Sequence, residues 1–183
     1  IGSFVSDLKS TSHLLEVRNI ADEVASRGNE YSSQVIKCEI KQIPEDVAKV
    51  MKMNKDQQVT HILLVHSENK VPIQIEDRFV DINFAPEVLG QDFSINTPSA
   101  YLSSIAPLQE AEQVVKAIIP EKFIADLLMM EKGQPCLLIT RRTWVKEKPV
   151  TYGRFFHPGN RYELVGHYSP LQGKGYKYNK KNK

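Results

Sequence analysis

The stretch HILLVHSENKVPIQIEDRFV, residues 61–80, reads as two strands around a tight turn at Glu68-Asn69-Lys70. An Asn-Lys pair at the centre of a hairpin is plausible because Asn tolerates the left-handed backbone such turns require. Alternation along the second strand puts Gln74, Glu76 and Arg78 on one face and Ile73, Ile75 and Phe79 on the other. An amide, a carboxylate and a guanidinium in one row suit a polar ligand. The carboxylate can accept from a ring N–H, and the guanidinium can fork onto a ligand carboxylate. The same row also suits a solvent-facing sheet with an internal Glu–Arg pair. Spacing alone leaves both readings open. His66, just before the turn, stands in the same way between a core histidine and a ligand contact.

Moving upstream, Asn19 caps a helix from Ile20 to about Arg27, with Gly28 as its stop. YSSQVIKCEIKQI alternates as a strand, with Ile36, Cys38 and Ile40 on one face, and Pro44 opens a short helix to about Met51. Downstream, Thr97-Pro98-Ser99 begins a helix running from Tyr101 to Ser104, and PLQEAEQVVKAII is a strand. PEKFIADLLMME is a helix with Phe123, Leu127 and Met130 on one face. CLLITRRTWV, VTYGRFFH and RYELVGHY close the chain as strands.

Two blocks match. Ile43-Pro44-Glu45, a helix, a strand, a turn and Pro72-Ile73 correspond to Ile119-Pro120-Glu121, a helix, a strand, a turn and Pro149-Val150. A strand–helix–strand–strand unit used twice predicts an α+β domain with an internal pseudo-twofold repeat and one mostly antiparallel sheet.

Composition narrows the class. With 183 residues, 41% hydrophobic and 25% charged, the chain suits one globular domain. No apolar run approaches the roughly 20 residues of a membrane helix, and the start shows no signal peptide. The absence of an initiator Met suggests a piece of a longer protein. Two cysteines, Cys38 and Cys136, each in an apolar run, argue against a disulfide framework and for a reducing cytoplasm. The net charge of +2 becomes −3 without the five lysines of the last eleven residues, Lys174, Lys177, Lys180, Lys181 and Lys183. So mildly acidic a body carries no footprint for nucleic acid. Residues 1–14 read as a linker, 15–170 as the domain and 171–183 as a basic, frayed tail.

Catalytic signatures are missing: no G-x-S-x-G, P-loop, G-x-G-x-x-G or H-E-x-x-H. The histidines lack zinc-site spacing, so neither a metal nor a cofactor is expected. Glu110 and Glu112 share a strand face, which a solvated edge explains. Arg141-Arg142-Thr143-Trp144 puts neighbouring arginines on opposite faces, so at least one must pair or meet solvent; Arg142 is assigned to structure. The N-terminus of the first helix, at Asn19 and Ile20, is either an anion site or simply capped by Asn19.

Together, IGSFV, LEVRNIADEVASRG, HILLVHSENKVPIQIEDRFV, TPSAYL, APLQEAEQVV, RRTW, HPG and NRYEL resemble the effector-binding (UTRA) domain of GntR-superfamily repressors, in the histidine-utilisation branch. The likeness covers about residues 1–168. It implies a chorismate-lyase-like fold and a small-molecule sensor for the urocanate of histidine degradation. It also implies a homodimer and a winged-helix operator-DNA reader at the N-terminal side, absent from this chain. Leu64 and His66 stand where sugar-phosphate-binding members carry arginines, which argues against a phosphorylated effector. Carried over by motif, the effector-binding residues are Arg18, Asn19, Ile20, Glu76, Thr97, Ser99 and Tyr162, joined by His66, Arg78 and Tyr101. The competing readings are a lyase of the same fold acting on an aromatic carboxylate and a dimerisation module with a vestigial pocket.

Overall fold

A computed structural model describes residues 10–13, 19–106 and 110–165 of the chain. Its frame is a six-stranded antiparallel sheet in the order β2-β3-β4-β7-β6-β5. Here β2 is Tyr31–Gln42, β3 Gln58–Glu68, β4 Val71–Asp81, β5 Glu110–Ile118, β6 Cys136–Val145 and β7 Lys148–Pro158. Helix α2 (Glu45–Met51) falls between β2 and β3, and α4 (Lys122–Leu127) between β5 and β6. The β2-α2-β3-β4 and β5-α4-β6-β7 units therefore meet at the β4–β7 pair in the middle of the sheet.

The β3–β4 turn places Asn69 and Lys70 at φ 50° and 67°. Two successive positive values are what a type I′ hairpin turn needs. On the sheet face away from the site, α2 seals a core of Ile43, Val47, Met51, Val59 and Phe79. Farther along that face, Leu63, Val65, Ile75 and Cys136 pack with Leu128. The opposite face carries α1 (Ile20–Ser26) and α3 (Pro98–Ile105). There α3 and the 3-10 turn Pro86–Gly90 cover Ile62, Leu64, Val80, Val88, Phe93 and Leu102.

Four expectations change. The fourth helix stops at Leu127 rather than continuing to Glu131, because Met129 turns left-handed at φ 50°. Its fully buried residue is Leu128 just beyond the end; of the expected Phe123–Leu127–Met130 stripe, Leu127 and Met130 pack against the core while Phe123 is 53% exposed. In β2 a bulge between Val35 and Lys37 shifts the alternation, so Ile36 packs with Leu63 and Val65 on one face while Cys38 packs with Ile62 on the other, and Ile40 beyond it is exposed. Pro44 is the cap of α2 rather than its first helical residue. Finally, Ser10–His13 (β1), inside the expected linker, pairs in parallel with Tyr162–Val165 (β8) as a small second sheet. The basic tail lies outside the described residues.

Candidate functional site

The polar row of β4 faces inward. Glu76 is 1% exposed and Arg78 4%, so the pair expected at either a ligand site or a wet face is buried. Arg78 Nε donates to Glu76 Oε1, and Arg78 Nη2 donates to Ser99 Oγ on α3 at 2.9 Å. His66 Nε2 lies 3.1 Å from Glu76 Oε2, and the Tyr31 hydroxyl lies 2.7 Å from His66 Nδ1. Burial alone would push the Glu76 carboxyl up. The Arg78 charge and the contact with His66 outweigh it and hold the group down at about 2. Glu76 is therefore a buried anion at neutral pH.

Two further strands complete the floor. In register across the sheet, Arg78 of β4, Gly153 of β7 and Arg141 of β6 stand side by side. A Cβ on Gly153 would come within 2.7 Å of the Phe155 ring, so only glycine lets that ring fold back over the strand. The guanidinium carbons of Arg78 and Arg141 lie 5.3 and 4.9 Å from the ring centroid, within cation–π range. Among the described residues, the one hydrogen bond of the Arg141 side chain runs from Nε to Gln113 Oε1 at 2.9 Å. Desolvation, reinforced by the charge of Arg78, lowers Arg141 to about 10, still cationic at neutral pH.

Gln74 Nε2 meets His157 Nε2 at 3.2 Å, and the His157 ring stacks on Tyr162 with centroids 3.7 Å apart. Desolvation and the nearby Arg141 charge lower His157 to about 3, so its imidazole is neutral. Ile20, Glu23, Gln74, Glu76, Arg141 and Tyr162 line a recess of about 390 Å³, counting space open to solvent. A second recess of about 460 Å³, lined by Arg78 and running toward Leu102 and Trp144, shares Ser99 and Arg141 with it. Both adjoin a wide groove between α1 and α3, lined by Asn19, Glu23, Ser99 and Ser103.

The structure thus brings together Ile20, His66, Glu76, Arg78, Ser99 and Tyr162 of the expected set. Asn19 has a different job. Its Oδ1 accepts from the Ala21 N–H and from Thr97 Oγ1, so it caps α1 and ties it to the cap of α3. Thr97 in turn accepts from the Ala100 N–H. With its cap in place and Asp22 and Glu23 in its first turn, α1 presents no open anion site. Tyr101 packs edge-on to Phe93 against the core under α3, away from the cleft. Arg18 lies outside the described residues. Arg142 bonds the Val50 carbonyl and Glu112 and stacks over Trp144. Sequence reasoning missed Arg141, Phe155 and His157 as cleft residues, and Tyr31 behind His66. Only Arg141 had left a signal, as one of two adjacent arginines that must differ in face.

A buried anion and a desolvated cation, arranged beneath two capped helices on a sheet, define a small-molecule receptor domain. The chain belongs to the UTRA domain family, whose model matches residues 26–163. It is 50% identical over 169 residues to a histidine utilization repressor of Pseudomonas putida, spanning 92% of this chain and 68% of that protein. The corresponding repressor of Klebsiella aerogenes is 39% identical over 92% of this chain and 70% of its own length. The crystal structure of the C-terminal domain of the Pseudomonas syringae pv. tomato histidine utilization repressor superposes with a TM-score of 0.74 at 45% identity. That match covers 76% of this chain and 99% of the other. The effector domain of PhnF from Mycobacterium smegmatis, 15% identical, shares the fold with a TM-score of 0.76, over 86% of this chain and 99% of that one. The chain is accordingly a ligand-sensing domain of a transcriptional repressor and not an enzyme. Among the described residues no helix is long and apolar enough to cross a membrane.

Proposed function

We propose that the cleft binds urocanate, or a closely related imidazole carboxylate of histidine breakdown, and that binding releases the repressor from its operator. The observation that carries this reading is the presence of Glu76 and Arg141 in one recess, an anion and a cation for the two ends of such a ligand. Glu76 accepts the ring N–H. Arg141 takes the carboxylate, because the Nε of Arg78 is engaged by Glu76 and its Nη2 by Ser99. Phe155 and the Tyr162–His157 stack offer flat surfaces to a conjugated ring. The names of the relatives support the pathway. The lyase reading finds no support in them.

Operator contact belongs to a DNA-reading domain outside this chain, and the repressor works as a homodimer matching two half-sites. Calorimetric titration of urocanate tests the reading. Arg141→Ala should weaken binding by about one to two decades, the loss of one charge-assisted contact of about 1.5–3 kcal/mol. Arg142→Ala, on the other side of the sheet's arginine pair, should bind like the parent. Equal affinities for all three proteins, or no heat from the parent, would contradict it.

A further inference from the structure

Tyr31 lines neither recess, yet its hydroxyl ends a hydrogen-bond chain that runs into the cleft: Tyr31 to His66 to Glu76 to Arg78 to Ser99. Donors converge on Glu76 from both sides. Arg78 can only donate, to Glu76 and to Ser99. Glu76, an ionised carboxylate, can only accept, so the His66 nitrogen 3.1 Å from its Oε2 must carry the proton. In a singly protonated ring His66 Nδ1 is then an acceptor, and the hydroxyl 2.7 Å away donates to it. His66 is fully buried, so no water competes to set its tautomer.

We propose that Tyr31 is a positioning residue that sets ligand preference: it locks His66 as the Nε2–H tautomer and thereby keeps Glu76 an oriented anion that accepts a ligand N–H. Without the hydroxyl, the other tautomer becomes accessible and turns an imidazole lone pair toward the Glu76 oxygen. Glu76 then rotates away or takes up a proton, and the acceptor offered to the ligand is lost. The ligand class that follows is a flat azole carboxylate with a ring N–H. A furan of the same shape offers Glu76 no donor of its own beside those of His66 and Arg78, and a site built for a hydrogen bond rejects an analogue lacking it by orders of magnitude. This inference rests on the urocanate reading for the ligand and on geometry alone for the tautomer.

Two measurements on the Tyr31→Phe variant test it, with Tyr152→Phe as a hydroxyl deletion at a distance. In the unliganded protein, the two-bond proton–nitrogen spectrum of His66 should show Nε2 protonated and Nδ1 bare in the parent and in Tyr152→Phe. In Tyr31→Phe it should show a mixture or the reverse. Affinity for trans-urocanate over 3-furanacrylate should be at least about a hundredfold in the parent. In folded Tyr31→Phe it should fall below about tenfold. A doubly protonated or Nδ1–H His66 in the parent, an unchanged spectrum in Tyr31→Phe, or an unchanged ratio overturns the inference. If the parent binds neither probe, the effector reading fails, and the nitrogen spectrum alone decides what Tyr31 does.

Discussion

The middle of the sheet carries a trio of histidine, carboxylate and arginine on each of its faces, built on β3 and β4 alone toward the cleft and joined by Arg154 of β7 on the other side. Toward the cleft, His66 and Arg78 flank Glu76, and Arg78 lies over Phe155. On the other face, His61 Nε2 meets Asp77 Oδ1 at 2.7 Å, and Arg154 Nε donates to Asp77 Oδ2 at 2.8 Å. There His61 stacks on Phe79, and Arg154 lies 5.2 Å from the same ring. Chemistry is nearly matched, but environment is not. All three inner groups are buried, whereas Arg154 reaches the surface and also touches exposed Asp46. Burying ions costs several kcal/mol that an internal pair recovers only with good geometry. The inner trio is therefore a poor way to gain stability and a good way to hold an oriented anion beside a cleft. The outer trio serves as a lid over the aromatic edge of the core.

That contrast can be broken deliberately. The largest effect should come from Glu76→Ala, which strands the buried Arg78 charge and should cost about 3–5 kcal/mol in denaturant unfolding. A loss under about 1 kcal/mol would mean that the inner trio is as wet as the outer one. Next is Gly153→Ala. Its new methyl meets the Phe155 ring at 2.7 Å, a clash expected to cost about 1–3 kcal/mol and to disturb Arg141. Shortening the ring in Gly153→Ala/Phe155→Leu should recover stability but not urocanate affinity. Asp77→Asn should have the smallest effect, about 1 kcal/mol, with ligand binding unchanged.

Acid should act chiefly through the cleft. His157 is held neutral in the fold and reaches only about 3, against 6.5 when free, so the unfolded chain gains the proton first. Its share of stability is complete above pH 6.5 and declines as pH falls toward 3. Glu76, held at about 2 instead of 4.5, contributes fully above pH 4.5 and loses its share as pH falls toward 2. Unfolding free energy followed from pH 7 downward should thus begin to drop near 6.5. In His157→Gln the onset should move to about 4.5. An onset near 6.5 in that variant would assign the effect to another group.

What could be read from the sequence was what is local. The Asn69-Lys70 turn, the Asn19 and Thr97 caps and the shared face of the β4 polar row follow from neighbouring residues alone, whereas the burial of that row does not. The fourth helix was overdrawn because its periodicity continues through residues whose backbone Met129 has already turned aside. The β2 bulge put Ile36 and Cys38 on opposite faces with no local signal. Half of the cleft was illegible for a topological reason. Arg141 and Phe155 matter only because β6 and β7 lie beside β4, an adjacency that no pattern within any one strand reveals. Tyr31 reaches His66 diagonally from an edge strand, across a pairing register the sequence does not display.

The most direct test compares urocanate binding to Glu76→Gln and to Asp77→Asn, neighbouring substitutions that each neutralise a carboxylate on opposite faces of one strand. Calorimetry should show Glu76→Gln weaker than the parent by about one to two decades and Asp77→Asn unchanged. Two folded variants that both bind like the parent, or that weaken equally, would contradict the assignment of the effector to the inner face.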